Sequence, residues 1–334
     1  MNNKNYPWFD IYWDENDVEA VTNIIRRGSY WAAGPEIRLF EKQLEEYFQV
    51  KHAVVLNSGT SALHTLFLAY EITSGEVIVP SFSFISTVNC VLLAGATPVF
   101  ADIESESLGL DLIDVKQKIT QNTRAILPMH YGGKICKHIK KLAKLAQDHN
   151  IILIEDNAES FGAKYQEQYT GTFGDAAILS FCQNKVLTTG EGGAVLTNSK
   201  DIYEKVKLLR SHGRVEEEKV NYFESIHFSD YIDIGYNYRL PTMAAALGIS
   251  QLKKIEEMIK KRRKKGQYYN QQLQSIPQVN IIEDLPESRS VYQFYAFLVK
   301  YKTLRNSLQE YLMEKQIFSK VQFEPIHYKT SFRN

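Results

Sequence analysis

Ile151-Ile152-Leu153-Ile154-Glu155-Asp156 and, further along, Leu179-Ser180-Phe181-Cys182-Gln183-Asn184-Lys185 are the two stretches that decide how this chain folds. The first is an apolar run of strand length closed by two carboxylates; the second leads a strand into a lysine and then a glycine turn, Thr188-Thr189-Gly190-Glu191-Gly192-Gly193. Runs of the same kind recur at residues 53–56, 77–79, 98–101, 125–127 and 194–196, and most read as strands buried on both faces. Between them, residues 61–70, 86–93, 111–119 and 135–149 carry helical patterns. Strand–helix alternation of this sort predicts an α/β fold: a mostly parallel, seven-stranded sheet flanked by helices.

Outward from that centre, residues 14–27 and 36–48 read as amphipathic helices. The loop joining them, residues 28–35 with Trp31, is either the rim of a ligand site or a plain connection. From about residue 245 the texture changes to one long helix over 244–273, a strand over 291–299 and a helix over 303–316. The expected division is a large domain, 1–245, and a bridging helix with a smaller α+β domain, 246–334. The chain ends soon after Phe323-Glu324-Pro325-Ile326-His327-Tyr328, so that smaller domain is expected to be short or incomplete. The run Lys260-Lys261-Arg262-Arg263-Lys264-Lys265 follows Glu256-Glu257 in a helical pattern and reads as a solvated face in preference to a nucleic-acid patch.

Lys+Arg and Asp+Glu both number 39, so no global field points to nucleic acid or an acidic membrane. Cys90, Cys136 and Cys182 are scattered without a CxxC or metal-ligand spacing, which predicts no metal site and a reducing compartment. With neither a leader-like apolar segment nor a run near the roughly 20 residues of a membrane span, a cytoplasmic protein without membrane partners is expected.

A carboxylate ending one strand and a lysine between a Ser/Phe strand and a glycine turn fit pyridoxal 5'-phosphate (PLP): the amine forms a Schiff base to the aldehyde and the carboxylate pairs with the pyridinium nitrogen. Asn57-Ser58-Gly59-Thr60-Ser61 lies between a strand and a helix, where small residues let backbone N–H groups approach a phosphate; alone it reads as an ordinary N-cap, and beside a PLP lysine as the expected phosphate cradle. Phe84, after another strand, either stacks on a ligand ring or packs in the core, and His130 is either a structural histidine or a substrate contact. Gly235-Tyr236-Asn237-Tyr238-Arg239 places an amide and a guanidinium on alternate positions before a helix.

In this order and spacing, these motifs, together with Trp31…Gly34-Pro35, Glu155-Asp156-Asn157-Ala158-Glu159 and His212-Gly213-Arg214, resemble the DegT-type nucleotide-sugar aminotransferases of the fold-type I PLP superfamily. The resemblance implies that Lys185 carries the cofactor and Asp156 faces its ring nitrogen. Phe84 takes the stacking place, Glu159 a place beside the 3-hydroxyl, and Gly59, Thr60 and Ser180 the phosphate. Asn237 is implied to reach that phosphate from a neighbouring subunit, hence a homodimer with shared active sites. Trp31, His130, His212, Arg239 and His327 are the substrate-side candidates. The implied substrates are L-glutamate and a nucleotide-diphosphate ketosugar, aminated at C4 of a 4-keto-6-deoxy sugar or otherwise at C3. Specificity is expected from loops near residues 28–35, 135–137, 217–229 and His327. Glu159 stands where many relatives carry Gln, and Cys182 where an aromatic is usual. Two other readings are a PLP-dependent sugar dehydratase, whose pattern puts His at the lysine position, and a non-catalytic PLP-binding sensor.

Overall fold

Two helices precede the sheet in the computed structural model, which describes residues 5–215 and 230–332. α1 (Glu15–Arg27) starts at Asp14, whose carboxylate accepts from the Asn16 N–H in a capping box with Asp17; α2 (Pro35–Phe48) starts on a proline, which needs no N–H partner there. β1 (His52–Leu56), α3 (Gly59–Ala69), β2 (Glu76–Pro80), α4 (Ile85–Ala94), β3 (Thr97–Ala101), α5 (Leu112–Lys118), β4 (Thr123–Ile126), α6 (Ile139–His149) and β5 (Ile152–Asp156) follow. A small hairpin of β6 (Lys164–Tyr165) and β7 (Gln168–Tyr169) leads to β8 (Ala176–Ser180), β9 (Gly193–Thr197) and α7 (Lys200–Arg210).

The main sheet has seven strands in the order β1-β9-β8-β5-β4-β2-β3, the mostly parallel α/β architecture expected. β9 alone runs against its neighbours β8 and β1. The carboxyl ends of β1, β2, β4, β5 and β8 therefore meet the start of β9 along one edge, where ligands of open α/β sheets bind. Both faces are packed. Phe40, Leu44, Phe48 and Phe181 lie on one side, and Leu63, Leu66, Phe67 and Val88 on the other, all at most 2% exposed. Each such side chain contributes about 1.5–3 kcal/mol through burial.

The C-terminal part contains α8 (Thr242–Lys253), α9 (Ile255–Leu273), β10 (Val279–Ile281), β11 (Ser288–Arg289), β12 (Phe297–Val299) and α10 (Lys302–Glu314). The single helix expected over 244–273 is thus two helices. The break is at Lys254, whose amine is held by Asp17 at 2.6 Å and Asp14 at 2.8 Å on α1. Position 245 lies inside α8, which packs on α1 and α2.

The basic run is only partly a solvated face. The Arg262 guanidinium donates to the carbonyls of Tyr292 and Gln293, and that of Arg263 to Ser290, while Lys261 pairs with Glu257. The strand expected over 291–299 is shorter than its apolar pattern. Only β12 pairs in a sheet, with β10, whereas the Val291 and Gln293 N–H groups donate to Gly133 and Gly132 beside the main sheet. α10 matches expectation but buries none of its residues. At the other terminus, Tyr6 exchanges backbone hydrogen bonds with Gln316 and Phe318. Among the described residues, no helix is long and apolar enough to cross a membrane. The loop 217–229 lies outside the described residues.

Candidate active site

Asp156 is the last residue of β5, buried to 4% exposure. Its Oδ2 accepts from the Thr87 hydroxyl at 2.9 Å, and its Oδ1 from the Ala158 N–H at 3.2 Å. Two donors leave further lone pairs of this carboxylate open. Burial pushes the carboxyl above its usual range, against the lowering pull of the Thr87 hydroxyl and the Ala158 N–H. Three residues on, Glu159 accepts from the Gly132 N–H at 2.9 Å, and its other oxygen lies 3.6 Å from the Lys185 amine. Burial raises its carboxyl too, opposed first by the Lys185 charge. Lys185 itself sits in the connection from β8 to β9, with its N–H donating to the Cys182 carbonyl at 2.9 Å.

β1 delivers the chain to Ser58, which caps α3 by accepting from the Ser61 N–H. The N–H groups at the start of this helix, Gly59 and Thr60 among them, have no intrahelical acceptor and point outward at its positive end. The cradle is built for backbone approach. A Cβ at Gly59 would meet the Ser180 Cβ at 3.0 Å, and one at Gly193 would lie 2.4 Å from the Ser58 carbonyl. Only glycines let the ends of β8 and β9 close on the helix start, which brings the Ser180 hydroxyl beside it. An anion cradle, a buried carboxylate with open lone pairs and an amine beside a second carboxylate form a donor set that fits PLP.

The aromatic candidate, Phe84, is 54% exposed and caps α4 with its backbone, so the core-packing alternative is excluded. It begins an aromatic wall that the sequence did not disclose: Phe323 lies 6.2 Å from Phe84, 6.1 Å from Phe82 and 6.0 Å from Tyr131, ring centre to ring centre. The Tyr131 hydroxyl donates to the Gln322 carbonyl, and the Ile326 N–H to the Ser81 carbonyl at 2.8 Å, fastening the C-terminal segment over the end of β2. His327 is exposed there, its Nδ1 2.9 Å from the Ser81 hydroxyl.

His130 differs from its expected place on the substrate side. It is fully buried; its Nδ1 accepts from the Cys136 N–H at 3.1 Å and its Nε2 donates to Glu155 at 2.8 Å, which leaves no ring nitrogen for a ligand. Trp31 is half-exposed, donates to the Ile24 carbonyl and accepts from the Thr242 N–H, so it sits where α1 meets α8. His212 is exposed with φ 64°; Arg239 donates to the Ser211 hydroxyl at 3.3 Å; the exposed Asn237 is bridged to Ser211 through its backbone. Asp156, Glu159 and Lys185 thus converge, with Gly59, Thr60 and Ser180 in the adjoining cradle. Thr87 and Phe323 are additions with no motif to announce them.

The model of the DegT/DnrJ/EryC1/StrS aminotransferase family matches residues 12–334. The chain is 36% identical to GDP-perosamine synthase of Escherichia coli O157:H7, covering 93% of this chain and 81% of that one. It is 33% identical to UDP-4-amino-4,6-dideoxy-N-acetyl-beta-L-altrosamine transaminase of Helicobacter pylori, covering 97% and 85%. Among solved structures, Helicobacter pylori PseC, described as an aminotransferase involved in the biosynthesis of pseudoaminic acid, superposes with a TM-score of 0.90 at 32% identity, covering 99% of this chain and 88% of that one. The fold, the cradle and these matches agree, and the chain belongs to the DegT/DnrJ/EryC1/StrS family of PLP-dependent aminotransferases.

Proposed function

We propose that this sugar aminotransferase moves an amino group from L-glutamate to a nucleotide-diphosphate ketosugar, at C4 of a 4-keto-6-deoxy sugar, for amino-sugar and polysaccharide biosynthesis. The observation that carries the reading is the Lys185 amine 3.6 Å from Glu159, with Asp156 buried at the end of the adjoining strand β5 and the α3 cradle beside them. The names of the two curated relatives support a nucleotide-linked sugar, and the 4-amino-4,6-dideoxy name supports C4 over C3.

PLP supplies an aldehyde for the donor amine and an electron sink for the carbanion at the donor Cα. Gly59, Thr60 and Ser180 would hold its phosphate and Phe84 would cover its ring. Asp156 would keep the ring nitrogen protonated through the lone pairs that Thr87 and Ala158 leave open. Glu159 would orient the Lys185 amine, which would act as general base at the donor Cα, give that proton up to the bound cofactor within the same half-reaction, and in the second deliver one to the sugar carbon. Glutamate leaves as 2-oxoglutarate, and the ketosugar carbonyl becomes the amine.

A homodimer with shared sites fits the loop before α8, where Tyr231, Ile232 and Ile234 are 53%, 59% and 84% exposed next to Asn237. A second copy covering that loop would bring Asn237 to the partner's cradle. Mixing Asn237→Ala with Lys185→Ala protein should restore up to about a quarter of wild-type activity; no recovery in verified mixed dimers contradicts sharing. The primary test is an absorbance spectrum of the purified protein before and after L-glutamate. Conversion of the PLP band to the pyridoxamine form, followed by its reversal with a UDP- or GDP-linked 4-keto-6-deoxy sugar, is the expected result. A band that glutamate leaves untouched would favour a different amino donor or the non-catalytic sensor.

A further inference from the structure

We infer that Gln293, a residue of the C-terminal part, is the positioning residue for Lys185, an inference that rests on the catalytic role proposed above for that lysine. Gln293 is 6% exposed. Its side-chain Oε1 accepts from the Val186 N–H at 3.0 Å, and its Nε2 donates to the Asn184 carbonyl. One side chain thus holds the peptide on each side of Lys185. Lys185 keeps its own N–H on the Cys182 carbonyl at 2.9 Å, so its Cα has little freedom to shift or rotate.

The clamp is itself anchored. The Gln293 N–H donates to the Gly132 carbonyl at 3.0 Å, and its carbonyl accepts from the Arg262 guanidinium at 3.0 Å. Gly132 in turn donates its N–H to Glu159 at 2.9 Å, and Glu159 faces the Lys185 amine at 3.6 Å. The two ends of the lysine, its backbone and its amine, are therefore referred to the same residue, Gly132. A primary amide is the side chain that supplies one donor and one acceptor at this spacing. Glutamate would lose the donor, and methionine would keep the bulk while losing both.

The test compares Gln293→Met with wild type, with Lys185→Ala measured alongside. In the holoenzyme, Gln293→Met should lower kcat by roughly 10–100-fold while KM for glutamate stays within about threefold, the pattern of a misplaced catalytic group and not of lost binding. In the cofactor-free full chain, hydrogen exchange at the Val186 amide should quicken by at least about tenfold while β5 and β8 keep their protection. An unchanged kcat, an unchanged Val186 amide, or a loss of protection spread across the whole sheet would each overturn the inference. If Gln293→Met does not fold, Gln293→Glu decides the matter: it must lower kcat through the lost donor to Asn184, and wild-type kcat overturns the clamp. Turnover by Lys185→Ala would sink the underlying catalytic reading; a silent Lys185→Ala beside an unaffected Gln293→Met would sink only the clamp.

Discussion

Glu155 and Asp156 are neighbours on β5 and both are buried, yet strand alternation turns them to opposite faces of the sheet, where they meet different company. Glu155 accepts from the Gly171, Phe173 and Gly174 N–H groups at 2.8, 2.6 and 2.8 Å, and from His130 at 2.8 Å. Every lone-pair position is used, and the result is a fixed loop over residues 170–174 and a fixed histidine. Asp156 has two donors, and acceptor capacity remains on its carboxylate. A saturated carboxylate is architecture, and an undersaturated one at a strand end is an invitation to a cationic ligand. The same contrast explains why His130, one strand away, belongs to the framework.

The sharpest way to break this contrast is Asp156→Asn. It should cut the glutamate half-reaction by about 10²–10³-fold, the scale of losing a preorganised electrostatic partner, with little change in folding. A rate within a few-fold of wild type would place Asp156 with Glu155 in the framework. Glu155→Gln should do the reverse. Its amide would point N–H groups at backbone donors, costing on the order of 3 kcal/mol of stability, while molecules that remain folded keep nearly their full half-reaction rate. Denaturant midpoints beside single-turnover rates separate the two outcomes.

The smallest effect belongs to Glu159. Burial raises the proton affinity of Asp156 and Glu159 in the folded chain above that in the unfolded chain. Their stabilising contribution is therefore complete below the ordinary carboxylate values, near about 4, and is lost as pH rises through the raised folded values. In the cofactor-free protein Glu159→Gln removes its share of that loss. The variant should melt higher than the parent at pH 7, by on the order of 2 °C, with the gap closing toward pH 4. A gap that widens on acidification would mean that the Lys185 amine outweighs burial at this site.

The main sheet was readable from residue order because each strand is a short apolar run that the helices cover on both faces; all seven strands and the helices between them fall where those runs put them. The turn from β1 into α3 was readable for a related reason, since strand ends and helix starts have local signatures in Ser, Thr and Gly. What escaped reading depends on partners distant in the chain. At the break, Lys254 takes a non-helical φ/ψ of −113°/8° and its amine reaches Asp14 and Asp17. Val291-Tyr292-Gln293 has strand composition, but its hydrogen bonds go to Gly132 and Gly133 instead of a strand. Thr87 and Phe323 carry no pattern at all; the one is a helix residue within reach of β5, the other a ring brought in by a segment more than two hundred positions away. His130 shows the opposite failure, a conspicuous residue whose environment is written in Glu155 and Cys136.

The placement of Trp31 where α1 meets α8 has an optical consequence. The chain's three tryptophans, Trp8, Trp13 and Trp31, all lie in its first 31 residues, whereas the wall beside Phe84 is built of Phe and Tyr alone. Indole emission is thus a natural label for the N-terminal corner and is blind to the sheet, whose melting has to be followed through far-ultraviolet dichroism. If the two signals trace one curve, corner and sheet unfold as a single cooperative unit; if the emission changes first, the corner has come away while the sheet still stands.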